Sequence, residues 1–141
     1  VAVRTAEAEW RGDLIHGEGT MKVESGAFEG KYSFATRFEQ EPGTNPEELI
    51  GAAHAGCFSM ALAAMLAEAG FQPKRIHTTA RVSVEKVAGG FAVTKSALQT
   101  EAEVPGIDEA TFIKHANAAK EGCPVSKALA GVEITLEAKL L

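Results

Sequence analysis

From Leu49 to Ala67 the chain carries no charged residue, and nothing else in the sequence restricts its fold as strongly. The stretch is entered through Thr44-Asn45-Pro46-Glu47. Thr44 and Glu47 have capping-box spacing; alternatively, Asn45 is the cap and Pro46 the first helical residue. Gly70 supplies a C-terminal stop. The pattern predicts one helix from about Asn45 to Ala69, on the order of 35 Å long. A compact chain of this length has a radius of gyration near ~14 Å, so such a helix traverses the whole domain. Being apolar on every side, it must be covered on every side.

Length and low charge would also suit a membrane span. The stretch is dominated by Ala and Gly, however, and contains His54 and Ser59. Its flanks alternate as soluble strands do, so the residues favour a buried core helix. Few other elements are available to wrap it. The expected architecture is therefore a homodimer with the central helices buried between subunits.

Before the helix, Ala6, Ala8 and Trp10 alternate with Glu7, Glu9 and Arg11, and Met21 and Val23 alternate with Lys22 and Glu24. Phe28, Tyr32, Phe34 and Phe38 fall on one side of a third segment, with Lys31, Ser33, Ala35 and Arg37 on the other. With turns at Gly12-Asp13 and Ser25-Gly26, this predicts a three-stranded meander that places Arg37 on a strand. After the helix, a hairpin turns at Gly89-Gly90 and ends at Pro105-Gly106. Asp108 caps a helix carrying Phe112, Ile113 and Ala116, and Pro124 opens a short one. A final strand alternates from Val132 to Leu140. The order βββα-ββαα-β is α+β, with antiparallel sheets around the long helix, in a single domain spanning residues 1–141.

The net charge is −5, and no basic run exceeds Lys74-Arg75, which argues against nucleic acid or an anionic membrane as partner. The first ten residues alternate like a strand rather than a leader, and the expected location is the cytoplasm. Two cysteines are too few for a secreted disulfide scaffold; in a reducing compartment such a pair is more often catalytic, redox-active or metal-binding.

Cys123 precedes Pro124, so it sits where free N–H groups at a helix start favour a thiolate, although a buried turn cysteine fits equally. Cys57 lies mid-helix and draws on no helix end. Taken alone it reads as core, and as a nucleophile it needs a cation from elsewhere. Glu47 is ten residues before it on the same helix, about 15 Å of rise and a net rotation near 80°, which excludes direct contact. Only a second helix passing in the opposite sense, as in a dimer, can join them. Glu47 and Arg37 each have a bland reading as well, as a dipole-stabilised carboxylate and an exposed strand residue. His54, Cys57 and Cys123 make a weak candidate metal set; His16, His77 and His115 read as exposed.

"TRFEQEPGTNPEELIGAAHAGCFSMAL", followed at a distance by "EGCPVS", resembles the osmotically inducible protein C and organic hydroperoxide resistance (OsmC/Ohr) family, with "GFAVTK" and "VPGID" extending the likeness along the chain. The Arg in "ATRFE", just before the helix, is similar to the OsmC branch. The resemblance implies an intertwined homodimer and a thiol peroxidase that reduces organic hydroperoxides, and less well hydrogen peroxide. Cys57 then matches the peroxidatic cysteine and Cys123 the resolving one. Arg37 and Glu47 match the flanking charged pair, held together by a charge-assisted contact. No metal, haem or flavin is implied. An external dithiol, of a lipoyl type at the level of the family, would reopen the disulfide. Phe58, Met60 and the strand aromatics would favour a bulky organic hydroperoxide. Three rivals share these residues: a dimeric redox sensor or carrier, a metal-binding protein, and a structural dimer with inert thiols.

Overall fold

A computed structural model describes residues 1–141. The elements run β1 (Ala6–Arg11), β2 (Glu18–Val23), β3 (Glu29–Tyr32), α1 (Phe34–Phe38), α2 (Pro46–Glu68), β4 (Arg75–Val87), β5 (Gly90–Glu103), α3 (Glu109–Gly122), α4 (Pro124–Ala128) and β6 (Glu133–Leu140). Chain packing separates two compact units, Val1–Leu49 and Ile50–Leu141, with α2 beginning in the first and continuing through the second.

In the first unit β1, β2 and β3 form an antiparallel meander in that order, as the alternation predicts. The third strand, however, stops at Tyr32. Residues expected to continue it instead form α1, so Arg37 is helical. The reason is local: the Ser33 hydroxyl accepts from the Thr36 amide at 3.3 Å, and the Thr36 hydroxyl accepts from the Ser33 amide at 2.8 Å. That reciprocal capping box starts a helix in the middle of an aromatic alternation that mimics a strand.

Both ends of α2 follow capping chemistry. Of the two possible starts, Asn45 is the one used: its side-chain oxygen accepts from the Glu48 amide at 2.8 Å, with Pro46 as the first helical residue. At the other end, Gly70 has φ +94°, Phe71 N–H donates to the Leu66 carbonyl and Gly70 N–H to the Ala67 carbonyl. This 6→1 and 5→2 pair is a Schellman stop.

The second unit sets α2 against a sheet ordered β4-β5-β6. A β-carbon on Gly51 would meet the Ala80 carbonyl at 3.3 Å, so a glycine there lets helix and sheet approach closely. Phe58, Leu62 and Leu66 join Leu98, Ala102, Phe112, Ala116 and Ala119 in one core. The sheet is not wholly antiparallel as expected: β6 runs parallel to β5, because α3 and α4 carry the chain back across before β6 begins. Nor is α2 buried all round within one chain. Ala52, Ala53, Gly56, Met60, Ala64 and Ala67 are exposed, Met60 to 76%.

Candidate active site

Arg37 occupies the last turn of α1, and Glu47 the second helical position of α2. Arg37 Nε donates to Glu47 Oε1 at 2.6 Å, a charge-assisted bond between a side chain that is 34% exposed and one that is 7% exposed. The guanidinium carbon lies 5.2 Å from the centroid of the Phe38 ring. The second Glu47 oxygen is buried without a partner. The pair is therefore half used: the carboxylate fixes one edge of the guanidinium and leaves the terminal N–H groups for another anion. A cleft of about 310 Å³ reaches Arg37, lined by Trp10, Leu14, Tyr32, Phe34 and Phe38.

Cys57 and Cys123 lie in the second unit and both are free thiols, Cys57 half-buried and Cys123 buried. Their side chains lie close enough together that the ionisation of each thiol depends on the other. Cys123 belongs to two helices at once. Its amide closes α3 on the Ala119 carbonyl at 2.9 Å, and its carbonyl opens α4 by accepting from Lys127 N–H at 3.1 Å. The start of α4 therefore aims the amides of Val125 and Ser126 at the sulfur pair.

Two thiols in contact titrate as a pair. Burial first, and then the hydrogen bond to Cys123, push the Cys57 thiol above its ordinary value, against the pull of the Val125 amide. Burial also opposes a Cys123 thiolate. There the hydrogen bond with Cys57, the Ser126 amide and hydroxyl, and the Val125 amide outweigh it and bring the thiol below its ordinary value.

His54, one turn before Cys57, is fully buried. Its Nδ1 lies 2.7 Å from the Ser96 hydroxyl and its Nε2 2.8 Å from the Ser126 hydroxyl. Both ring nitrogens are thus occupied by neutral partners, and burial lowers its pKa. No three His, Cys, Asp or Glu side chains are grouped to hold a metal.

Of the residues expected at the site, the structure pairs Arg37 with Glu47 and Cys57 with Cys123, each within its own unit. Phe58, expected as a wall for substrate, is instead fully buried in the core, and Met60 faces outward. His115 is half-buried rather than exposed, with Nδ1 2.8 Å from the Thr111 carbonyl. Ser126 was within reach of sequence reasoning, being the last residue of "GCPVS". Ser96 is the one hydroxyl of β5 that is fully buried, and only the alternation of that strand hinted at it.

An α+β protein with two neighbouring free thiols at a helix start, and a guanidinium held by a carboxylate, is by class a protein built for thiol redox chemistry. Comparison with known proteins makes the class specific. The family model described as OsmC-like protein matches residues 38–137. Peroxiredoxin OsmC of Escherichia coli is 57% identical over 138 residues, 97% of this chain and 96% of that protein. The organic hydroperoxide resistance protein of Xanthomonas axonopodis pv. citri is 32% identical over 96 residues, covering 67% of this chain and 66% of that one. The crystal structure of the organic hydroperoxide resistance protein OhrB of Bacillus subtilis superposes with a TM-score of 0.71 at 30% identity, over 96% of this chain and 98% of that one. The chain belongs to the OsmC-like protein family.

Proposed function

We propose that this protein is a cysteine-based peroxidase that reduces organic hydroperoxides to alcohols, and hydrogen peroxide less well. The observation that carries the reading is the pair of free, mutually coupled thiols Cys57 and Cys123 at the start of α4. Both cysteines lie within residues 38–137, which the family model matches, and relatives named for peroxiredoxin and organic hydroperoxide resistance activity cover most of the chain.

In this reading the Cys57 thiolate attacks the distal peroxide oxygen. The O–O bond breaks, the alkoxide takes up a proton to leave as an alcohol, and Cys57 becomes a sulfenic acid. Cys123 then displaces the hydroxyl as water and closes a disulfide, which keeps Cys57 from further oxidation. An external dithiol of lipoyl type reopens the bridge by exchange and restores both thiols. The reaction asks for no metal, haem or flavin.

Burial and the neighbouring Cys123 hold the Cys57 thiol above its ordinary value, so an attacking Cys57 thiolate needs a cation close by. An opposite charge within about 4–6 Å favours the ionised form by roughly one to three pKa units, enough to outweigh a neutral hydrogen bond. Arg37, held by Glu47 and with its terminal N–H groups unused, has the right chemistry for that role. We assign both to the active site, contributed across a homodimer. The support is twofold. Glu47 and Cys57 are ten residues apart on one continuous helix, and that helix exposes an apolar face of small residues from Ala52 to Ala67 that a second copy would cover. The aromatic cleft at Arg37 would take the organic tail of the hydroperoxide, and the cytoplasm is the compartment in which such thiols stay reduced.

The test is intact mass after one equivalent of tert-butyl hydroperoxide is added to reduced protein. Loss of two hydrogens within one chain, reversed by a dithiol, is expected. An unchanged mass would remove the peroxidase reading.

A further inference from the structure

His54 is the one fully buried titratable side chain that the peroxidase cycle leaves unused, and its two ring nitrogens tie three elements together. From α2, Nδ1 lies 2.7 Å from the Ser96 hydroxyl of β5, and Nε2 lies 2.8 Å from the Ser126 hydroxyl of α4. Ser96 is fully buried and Ser126 is 6% exposed, so both bonds are shielded from solvent. Removing a partner from such a bond leaves a buried polar group unsatisfied, which makes the tie hard to break. A hydroxyl can donate or accept, so either neutral tautomer of the ring is satisfied.

The place of the tie gives it a use. Helix α4 is five residues long, too short to hold its shape alone, and Ser126 is its one buried residue. Its first turn is built on Cys123, whose carbonyl accepts from Lys127 N–H at 3.1 Å. His54 precedes Cys57 by three residues on α2, about 4.5 Å of rise, and Ser126 follows Cys123 by three. Cys57 packs against the core cluster that contains Cys123. His54–Ser126 and Cys57–Cys123 are thus two successive rungs between α2 and the start of α4, with the chain running in opposite senses on the two sides. The first rung is a buried hydrogen bond that stays made. The second has to close and open in a redox cycle. A disulfide requires β-carbons about 3.5–4.5 Å apart, so a small drift of α4 along α2 takes the sulfurs out of reach.

We propose that His54 is a positioning residue for disulfide closure: by holding Ser126, it locks the first turn of α4 in the register that presents Cys123 to Cys57. Ser96 fixes the ring from its other nitrogen, so that the imidazole cannot swing away from Ser126. This role presupposes the reading of Cys57 and Cys123 as a redox pair. In the step it serves, the Cys123 sulfur attacks the sulfur of a Cys57 sulfenic acid. The S–S bond forms, the S–O bond breaks, and the hydroxyl leaves with the Cys123 proton as water.

Two substitutions separate the two bonds of the ring. A glutamine amide reaches as far as Nε2 and keeps a partner for Ser126. An asparagine amide stops at the level of Nδ1 and keeps one for Ser96 alone. The readout is the effective concentration of the Cys57–Cys123 pair, taken without peroxide from the ratio of protein disulfide to mixed disulfide in a glutathione redox buffer. There the protein dithiol gives two electrons and two protons to glutathione disulfide, which becomes two thiols. His54→Asn and Ser126→Ala should each lower the effective concentration about tenfold, the scale of one buried hydrogen bond, and His54→Gln should stay within about twofold of the parent. With excess tert-butyl hydroperoxide, the first two should accumulate sulfinic acid at Cys57 at the expense of disulfide. Ser126→Ala, which removes a single oxygen, carries the test if a ring variant does not fold. An unchanged effective concentration in Ser126→Ala overturns the proposal, and so does an equal loss in His54→Asn and His54→Gln, since the ring would then only fill space. If the effective concentration falls as expected but the parent forms no disulfide with a hydroperoxide, the positioning role stands and the peroxidase reading falls.

Discussion

Every buried apolar side chain of the core lies in residues 50–141, whereas the buried residues of the first 49 are Thr36, Thr44 and Glu47, all of them polar. The two units divide the chemistry in the same way. The first holds a charged pair that is one-third open to solvent and has valences to spare. The second holds a sulfur pair of which Cys57 is half-buried and Cys123 buried. In the proposed chemistry the two sets of groups have to work together, the thiol supplying the electrons and the guanidinium the charge that favours a Cys57 thiolate. In the first unit Ala6 and Ala8 of β1 are exposed, although their alternation with charged neighbours is that of a half-buried strand.

Exchanging single residues across this division tests it most sharply. Cys57→Ser removes the attacking sulfur and should abolish hydroperoxide reduction. Full steady-state activity in that variant would reject the site. Cys123→Ser should permit one turnover and then a sulfinic acid at Cys57, seen as a mass gain of two oxygens after excess hydroperoxide. On the charged side, Arg37→Ala should cost on the order of 100-fold in kcat/KM, the scale for losing a donor aimed at reacting charge, and should move the pH profile of the first attack upward. Mixing Cys57→Ser and Arg37→Ala subunits gives a stricter test. If Arg37 serves the partner's thiol, half the sites of the mixed dimer are complete and activity returns. No return on subunit exchange would mean that the charge and the sulfur act within one chain.

The parts of this molecule that were legible in its sequence are those set by neighbours along the chain. The limits of α2 were visible in Asn45-Pro46 and Gly70 because capping is local, and the Pro124 start of α4 likewise. Arg37 was misplaced on a strand for an equally local reason. The Phe28, Tyr32, Phe34 and Phe38 spacing suits a pleat, and the Ser33–Thr36 box that overrides it lies hidden inside that alternation. The parallel direction of β6 depends on a crossover through two helices, which alternation alone does not report. The Ser96–His54–Ser126 chain was out of reach, since its bonds join residues 42 and 72 positions apart. The cysteines themselves were conspicuous. What surrounds them was not.

The smallest effect expected concerns stability rather than turnover, and it isolates the second unit. His54 is buried between two neutral hydroxyls, and burial holds its pKa below the ordinary imidazole value. In the unfolded chain the ring regains that ordinary value, about 6.5. Below that pH the unfolded state therefore binds a proton that the folded state refuses, and linkage makes stability fall as pH falls. The loss begins as the pH drops through about 6.5, with a limiting slope of one proton, roughly 1.4 kcal/mol per pH unit, until the folded ring titrates too. Denaturant unfolding at a series of pH values between neutrality and mild acid should show this slope in the parent and its reduction in His54→Gln, which cannot take up a proton. An identical slope in parent and His54→Gln would place the acid sensitivity elsewhere, and the buried imidazole would then have to be charged in the folded protein.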